Sequence, residues 1–307
     1  MNAIDAAVIK AHRNEKAART FITICGIGMA LVPFLIGAFL FLKGTDTFFQ
    51  FGHSITEFIF SGQWNPSDTA EGGGQVGAGM YIAGSLATCA LALLITLPFS
   101  IASAIFMTEI AEPRTRRLIQ PAIELFTGIP SVVYGFVGMT VLIPFLRKIF
   151  PMPFGFSVLA AGIVLAVMIF PTITTMAADA MAAVPKSWRE ASFGLGATRW
   201  ETIAHVVLPA AKSGIFTGII LGLARALGEA LAVAMVIGQM KVFPTSLFLP
   251  ASTMTTAISA DMGGAMEGGE YSAALWTLAL LLFCLSFLFI FLIHQLNAAF
   301  SIKGGTK

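Results

Sequence analysis

Six long apolar stretches divide the chain, at residues 21–42, 80–107, 123–146, 156–178, 213–238 and 273–295. A helix needs about 20 mostly apolar residues to cross a bilayer, so each stretch predicts one transmembrane helix. The fold class expected is all-α: a polytopic membrane protein with six transmembrane helices. The second stretch is long enough to tilt or to include an interfacial segment. Between the first two lies a loop holding Gly72, Gly73, Gly74, Gly77 and Gly79, which reads as a flexible boundary. The Phe-rich segment 48–60 of that loop either lies along the membrane surface or packs as a small loop. Three parts follow from this pattern. Residues 1–78 hold a cytoplasmic N-terminus, the first span and an extracytoplasmic loop. Residues 79–297 form a five-helix core with a cytoplasmic loop at 181–212, and residues 298–307 a cytoplasmic tail.

Composition agrees with a lipid environment: 57% of residues are hydrophobic, 11% are charged and the mean hydropathy is +0.86. A soluble domain carries about 25% charged residues. The net charge of +2 is too mild to indicate nucleic acid. Cys25, Cys89 and Cys284 fall far apart inside apolar runs, which argues against a disulfide framework or a metal site. The first apolar run is long and no small-residue cleavage site convincingly follows it, so a cleavable signal peptide is not expected.

Basic residues set the orientation. One side collects Lys10, Arg13, Lys16, Arg19, Arg114, Arg116, Arg117, Lys186, Arg189, Arg199, Lys212, Lys303 and Lys307, thirteen in all. The other collects four: Lys43, Arg147, Lys148 and Lys241. Both termini are therefore expected in the cytoplasm.

The loop joining the fourth and fifth spans reads MAAVPKSWREASFGLGATRWETIAHVVLPAAK. Ser187 with Glu190, and Thr198 with Glu201, fit capping boxes. Gly194 and Gly196 lie between them, where a chain leaving a helix needs positive φ. A helix–turn–helix on the cytoplasmic face is predicted, with Pro209 near the start of the fifth span. Glu190, Ala191, Gly196, Leu208 and Pro209 resemble the spaced EAA…G…LP loop of binding-protein-dependent ABC importer permeases. Ser192 replaces the usual third Ala and Val206 stands where Ile is common, both small changes of volume. The resemblance implies a type I ABC importer permease fold. It also implies that Glu190, Ala191, Ser192, Gly196, Leu208 and Pro209 couple the chain to an ATP-binding subunit, whose closure this loop transmits.

A finer resemblance spans nearly the whole chain. TGIPSVVYGFVG at 127–138, ARALGEALAVAMVIGQ at 224–239, FSGQWNP at 60–66 and YSA at 271–273 are similar to segments of the phosphate-transport permease family PstC. The sister family PstA tends to differ after the GE pair. That resemblance implies a phosphate pathway in a bacterial inner membrane. The implied partners are a second, PstA-like permease, two PstB-like ATP-binding subunits and a PstS-like extracytoplasmic phosphate-binding protein. ATP and Mg would sit on the ATP-binding subunits, and no cofactor is expected in this chain.

Within the fifth stretch, Arg225 lies near the middle and Glu229 follows one turn later on nearly the same face. An Arg at a helix centre costs about 2.5–3.5 kcal/mol on translocon scales, so it should face a polar cavity or a partner. Two readings stand: an internal ion pair pinning helices, or a polar lining for an anion, which the guanidinium fork suits. Small residues recur at Gly214, Gly218, Gly222, Ala226, Ala230, Ala234 and Gly238, predicting close helix packing. In the third stretch Pro130 should interrupt the helix, placing Ser131 and Tyr134 as pathway candidates or as parts of a packed kink. Glu124 is placed to cap a helix start. GGGQVGAG at 72–79 lacks the Lys–Ser/Thr of a phosphate-binding loop and lies on the non-cytoplasmic side. The chain is therefore not expected to be an enzyme. An ion-coupled secondary transporter, a membrane enzyme or scaffold, and a permease for phosphonate, sulfate or molybdate are the competing readings.

Overall fold

The computed structural model describes residues 3–69 and 71–301. Six of its helical stretches are long and apolar enough to cross a membrane: Ala18–Phe49, Gly79–Ile110, Ser131–Ile149, Val158–Ala182, Arg199–Gly228 and Glu270–Gln295. Lys303 and Lys307, counted toward the orientation, lie outside the described residues, as do the side chains of Lys10 and Arg13.

Helix α1 (Ala3–Gly44) is followed by two short helices, α2 (Asp46–Phe49) and α3 (Ile55–Phe60). A two-residue antiparallel ribbon comes next, β1 (Trp64–Asn65) on β2 (Gln75–Val76), with Trp64 opposite Val76. Helix α4 (Gly79–Ile105) ends in a π-helical turn at Phe106–Ile110, and α5 (Pro113–Gly128) leads to α6 (Ser131–Val137). A second π-turn, Gly138–Leu142, joins α6 to α7 (Ile143–Ile149). Helix α8 (Val158–Ala182) leads to α9 (Lys186–Gly194) and α10 (Arg199–Thr202). A third π-turn, Ile203–Val207, runs into α11 (Leu208–Gly228), and α12 (Leu231–Ile237), α13 (Met254–Asp261) and α14 (Glu270–Ser301) complete the chain.

Helix α8 is the centre of the molecule and packs against α4 and α11. Ala160, Ala161, Met168, Ile169, Ile173 and Ala177 along it are all within 0% exposure. Close approach comes from glycine. A Cβ on Gly214, Gly218 or Gly222 would strike Ala180, Met176 or Ile173, so three consecutive members of the small-residue row meet the same neighbour, α8. Ala226 continues the row, buried on the same helix, and the row breaks where that helix ends at Gly228. By contrast α1 packs on α14 and leaves Phe21, Phe34 and Phe41 exposed, the surface lipid would cover.

A second core, of Phe58, Trp64, Met80, Tyr81, Met254, Leu275 and Leu278, closes the face that carries residues 45–79. The segment 48–60 divides its aromatics: Phe58 is buried there, whereas Phe49 and Phe60 are exposed. The glycine loop is not a flexible boundary. The buried Glu270 carboxylate accepts hydrogen bonds from the backbone N–H groups of Ser67, Gly73 and Gly74 at 2.6, 3.0 and 2.9 Å. It also pairs with His53 Nε2 at 2.7 Å. A Cβ on Gly74 would collide with this carboxylate, so the loop wraps a charge that hydrophobic pattern could not reveal. Nearby, Lys241 Nζ lies 2.9 Å from Asp261 Oδ2. Burial works against this ammonium, but its hydrogen bonds to Asp261 and Tyr271 outweigh that and raise its pKa above the usual lysine value.

Two of the expected spans are corrected. The third begins at Ser131, not at residue 123, because Pro130 interrupts the apolar run as expected and becomes the N-cap of the helix that follows. The residue before a proline is driven out of the α region, and Ile129 is extended at φ −72, ψ 128. What precedes is α5, a separate amphipathic helix with Arg114 and Arg117 on its polar side and Leu118 and Leu125 exposed. Glu124 lies inside that helix, accepting from Gln120 at 3.0 Å, and caps no helix start. The fifth span is displaced toward the N-terminus, Arg199–Gly228 instead of 213–238. It breaks at Glu229, which is extended at φ −77, ψ 120.

Candidate functional site

Two regions hold the residues singled out from sequence, one at each end of α11. The first is the segment 183–202 with its two short helices. Here α9 starts after Pro185 with no side-chain cap, so the Ser187–Glu190 capping box does not form. Pro185 pre-sets the entry geometry and leaves Ser187 inside the first turn. The second box does form: Thr198 Oγ1 accepts from Glu201 N–H, and Thr198 N–H donates to the Glu201 carboxylate at 2.7 Å. Of the two glycines between, Gly196 takes φ +85 while Gly194 stays helical. Left-handed backbone at Gly196 lets the chain reverse within four residues.

Glu190, Ala191 and Gly196 are exposed on this loop, and Ser192 is half-buried, its Oγ 2.9 Å from Thr202 Oγ1. That contact holds α9 against α10. Leu208 and Pro209 lie at the start of α11, Leu208 half-buried and Pro209 exposed. Around them stand large apolar side chains that hydropathy passed over: Trp188 is 53% exposed, Phe193 48%, Leu195 90% and Trp200 64%. Large apolar side chains left uncovered on a short connector mark a candidate binding face. The signal that would have found it is two tryptophans in an otherwise polar connector.

The second region is the helix break after Gly228. Arg225 and Glu229 do not form the pair their four-residue spacing suggested, because the helix ends between them. Arg225 Nη1 instead donates to Thr172 Oγ1 of α8 at 3.3 Å. Glu229 turns back to cap the next helix, its Oε1 accepting from Ala232 N–H at 2.9 Å. The break would otherwise leave that N–H without a partner. Thr255 Oγ1 also donates to the Glu229 carbonyl oxygen at 2.9 Å. A cavity of about 10 Å³ lies behind it, lined among others by Ser85, Thr88, Thr253 and Thr255.

Tyr134 and Ser131 sit at the matching discontinuity before α6. Tyr134 OH donates to the Phe126 carbonyl oxygen at 2.5 Å, bridging the Pro130 gap between α5 and α6. Ser131 is half-buried in the first turn of α6. The two broken elements touch: α6 packs on α12, and a Cβ on Gly135 would strike Ala232. Interrupted helices satisfied by side chains are the membrane form of an irregular, polar segment. Thr172, the partner of Arg225, was missed from sequence because nothing local distinguishes it from the neighbouring threonines of PTITT.

The comparisons bear on the whole chain. The family described as "Binding-protein-dependent transport system inner membrane component" matches residues 97–301. A Bacillus subtilis (strain 168) protein named "Probable ABC transporter permease protein YqgH" is 48% identical over 285 residues, covering 93% of this chain and 91% of its own. The "Phosphate transport system permease protein PstC" of Pasteurella multocida (strain Pm70) is 37% identical over 281 residues, covering 85% of each. Among solved structures, a bacterial ABC transporter involved in the import of the acidic polysaccharide alginate superposes with a TM-score of 0.63 at 16% identity, over 93% of this chain and 96% of that chain. That likeness is one of fold, the type I ABC importer permease. With two thirds of the chain matched by one family pattern and relatives similar along most of their length, this protein belongs to the binding-protein-dependent transport system inner membrane components, the permeases of ABC importers.

Proposed function

We propose that this chain is a permease subunit that forms the membrane pathway for inorganic phosphate in an ATP-driven importer. The observation that carries the pathway is the break at Glu229, which leaves Arg225 held by a neutral hydroxyl and not neutralised by a carboxylate. An unneutralised guanidinium inside a membrane suits a tetrahedral oxyanion, to which its fork donates two parallel hydrogen bonds. Phosphate itself is supported by the names of the relatives 36–37% identical to this chain. The partners in this reading are a PstA-like permease, two PstB-like subunits carrying ATP and Mg, and a PstS-like binding protein. The exposed loop of Glu190, Ala191, Ser192 and Gly196, with its apolar rim, docks on the ATP-binding subunit, and Leu208 and Pro209 carry that contact into α11. The chain itself hydrolyses no ATP. The thirteen-to-four basic asymmetry supports a bacterial inner-membrane orientation with both termini in the cytoplasm.

Uptake of labelled phosphate in cells lacking other phosphate systems tests the substrate. Expression of the full complex should restore uptake, and unlabelled phosphate should compete, while sulfate, molybdate and phosphonate do not. Competition by one of those anions ahead of phosphate would replace phosphate as the substrate.

A further inference from the structure

Glu109 takes part in none of the sequence patterns above, yet both arms of the 183–202 segment converge on it. Both oxygens of its carboxylate are held by one edge of a guanidinium: Arg189 Nη2 donates to Oε1 at 2.7 Å and Arg189 Nε to Oε2 at 3.2 Å. The pair is largely buried, with side chains 17% and 10% exposed. The remaining Arg189 donors reach the end of α8, with Nη1 on the Val184 carbonyl oxygen at 2.6 Å and Nη2 on that of Met181 at 2.8 Å. From the other arm, Arg199 Nη2 donates to the Glu109 carbonyl oxygen. One residue of the α4 end thus receives α9 through its side chain and the start of α10 through its backbone.

The local backbone fits a mechanical joint. Glu109 lies in the π-turn Phe106–Ile110, and the loop leaves through another π-turn at Ile203–Val207. Single π-turns inside long helices interrupt the regular hydrogen-bond ladder and recur at functional positions. A bidentate, part-buried Arg–carboxylate fork between them is directional, unlike a surface ion pair.

We propose that the Glu109–Arg189 fork is the joint through which movement of the α9–α10 loop enters α4 and α8. This rests on the reading of that loop as the docking element for the ATP-binding subunit. Glu109 and Arg189 are then positioning residues: they bind neither ATP nor substrate, but hold the loop rigidly to the two helices that form the core. Docking needs only the exposed face of the loop, so a complex with a loosened joint assembles and hydrolyses ATP without moving substrate.

The test is the complete complex reconstituted in vesicles with its binding protein, reading ATP hydrolysis and phosphate uptake in the same sample. Glu109→Gln keeps the shape and one acceptor but removes the charge. The expected result is wild-type co-purification of the ATP-binding subunit, retained hydrolysis, and a fall of about tenfold in uptake per ATP, a size typical of coupling between sites. Glu109→Asp, which keeps the charge, should recover part of that ratio. Arg189→Lys loses the fork without leaving a buried charge unpaired, and carries the same expectation should Glu109→Gln fail to accumulate. An unchanged uptake-to-ATP ratio in the assembled variants would overturn the joint. So would loss of the ATP-binding subunit from them, since Glu109 would then serve docking alone. Failure of the unmodified chain to co-purify any ATP-binding subunit would instead remove the docking reading on which the joint rests.

Discussion

Arg225 and Glu229 illustrate how a single backbone break changes what two residues do. Four residues apart on a continuous helix, they would face each other and cancel. With Glu229 extended, the carboxylate caps Ala232 and the guanidinium turns to Thr172. Glu229→Gln retains an acceptor for the Ala232 N–H and should leave Arg225 undisturbed. The effects of Glu229→Gln and Arg225→Met on initial phosphate uptake should therefore multiply, as expected of residues that share no partner. Thr172→Val removes the acceptor of Arg225 and should lower uptake about fivefold at unchanged protein level, matching about 1 kcal/mol for one hydrogen bond. Arg225→Lys keeps the charge but not the fork, so partial uptake at best is expected. Uptake at the wild-type rate in Arg225→Lys would remove Arg225 from the pathway, and a double variant that departs from the product of the two single effects would mean that Arg225 and Glu229 are coupled after all.

At the scale of elements, the connector between α8 and α11 is the most informative segment. Its reversal depends on Gly196 at φ +85, where a residue with a Cβ costs about 1–2 kcal/mol and a β-branched one more. No neighbouring atom lies within 4 Å of where that Cβ would be, so the penalty is conformational and not steric crowding. Gly196→Val should insert into the membrane normally yet lose transport or co-purification of the ATP-binding subunit. Gly196→Asn, which tolerates left-handed backbone better, should do less damage. Wild-type transport by Gly196→Val would sink the docking role of this turn. The corrected third span has the same lesson in its other form. Pro130 converts an apolar run into an interfacial helix and a shorter span, and Tyr134 ties the two across the gap.

For the whole molecule the open quantity is orientation. Single cysteines report it, in a background where Cys25, Cys89 and Cys284 are replaced. Thr69→Cys lies on the face closed by Glu270 and the aromatic core, and Leu195→Cys on the opposite loop. A membrane-impermeant thiol reagent applied to intact cells should label the first and spare the second until the membrane is opened. The reverse pattern would invert the molecule. The same two faces differ in construction. One folds around a buried carboxylate and packed rings yet still exposes Phe49 and Phe60, whereas the other exposes Trp188, Leu195 and Trp200.

Six spans, the Thr198–Glu201 cap and the Gly196 turn were legible in the sequence. Each depends on residues near one another along the chain, and lipid leaves the backbone little choice but helix. The third and fifth span limits were not legible, because an apolar run does not record where a proline or a glycine ends a helix. The partners of Arg225, Glu109 and Glu270 were out of reach for a different reason. Thr172, Arg189, His53 and the glycine-loop amides lie far along the chain from the charges they satisfy. A buried charge must find donors or acceptors, and the sequence states that need without naming who meets it. Only the packing of α8 against α4 and α11, and of the first loop against α14, decided which groups came within hydrogen-bond distance.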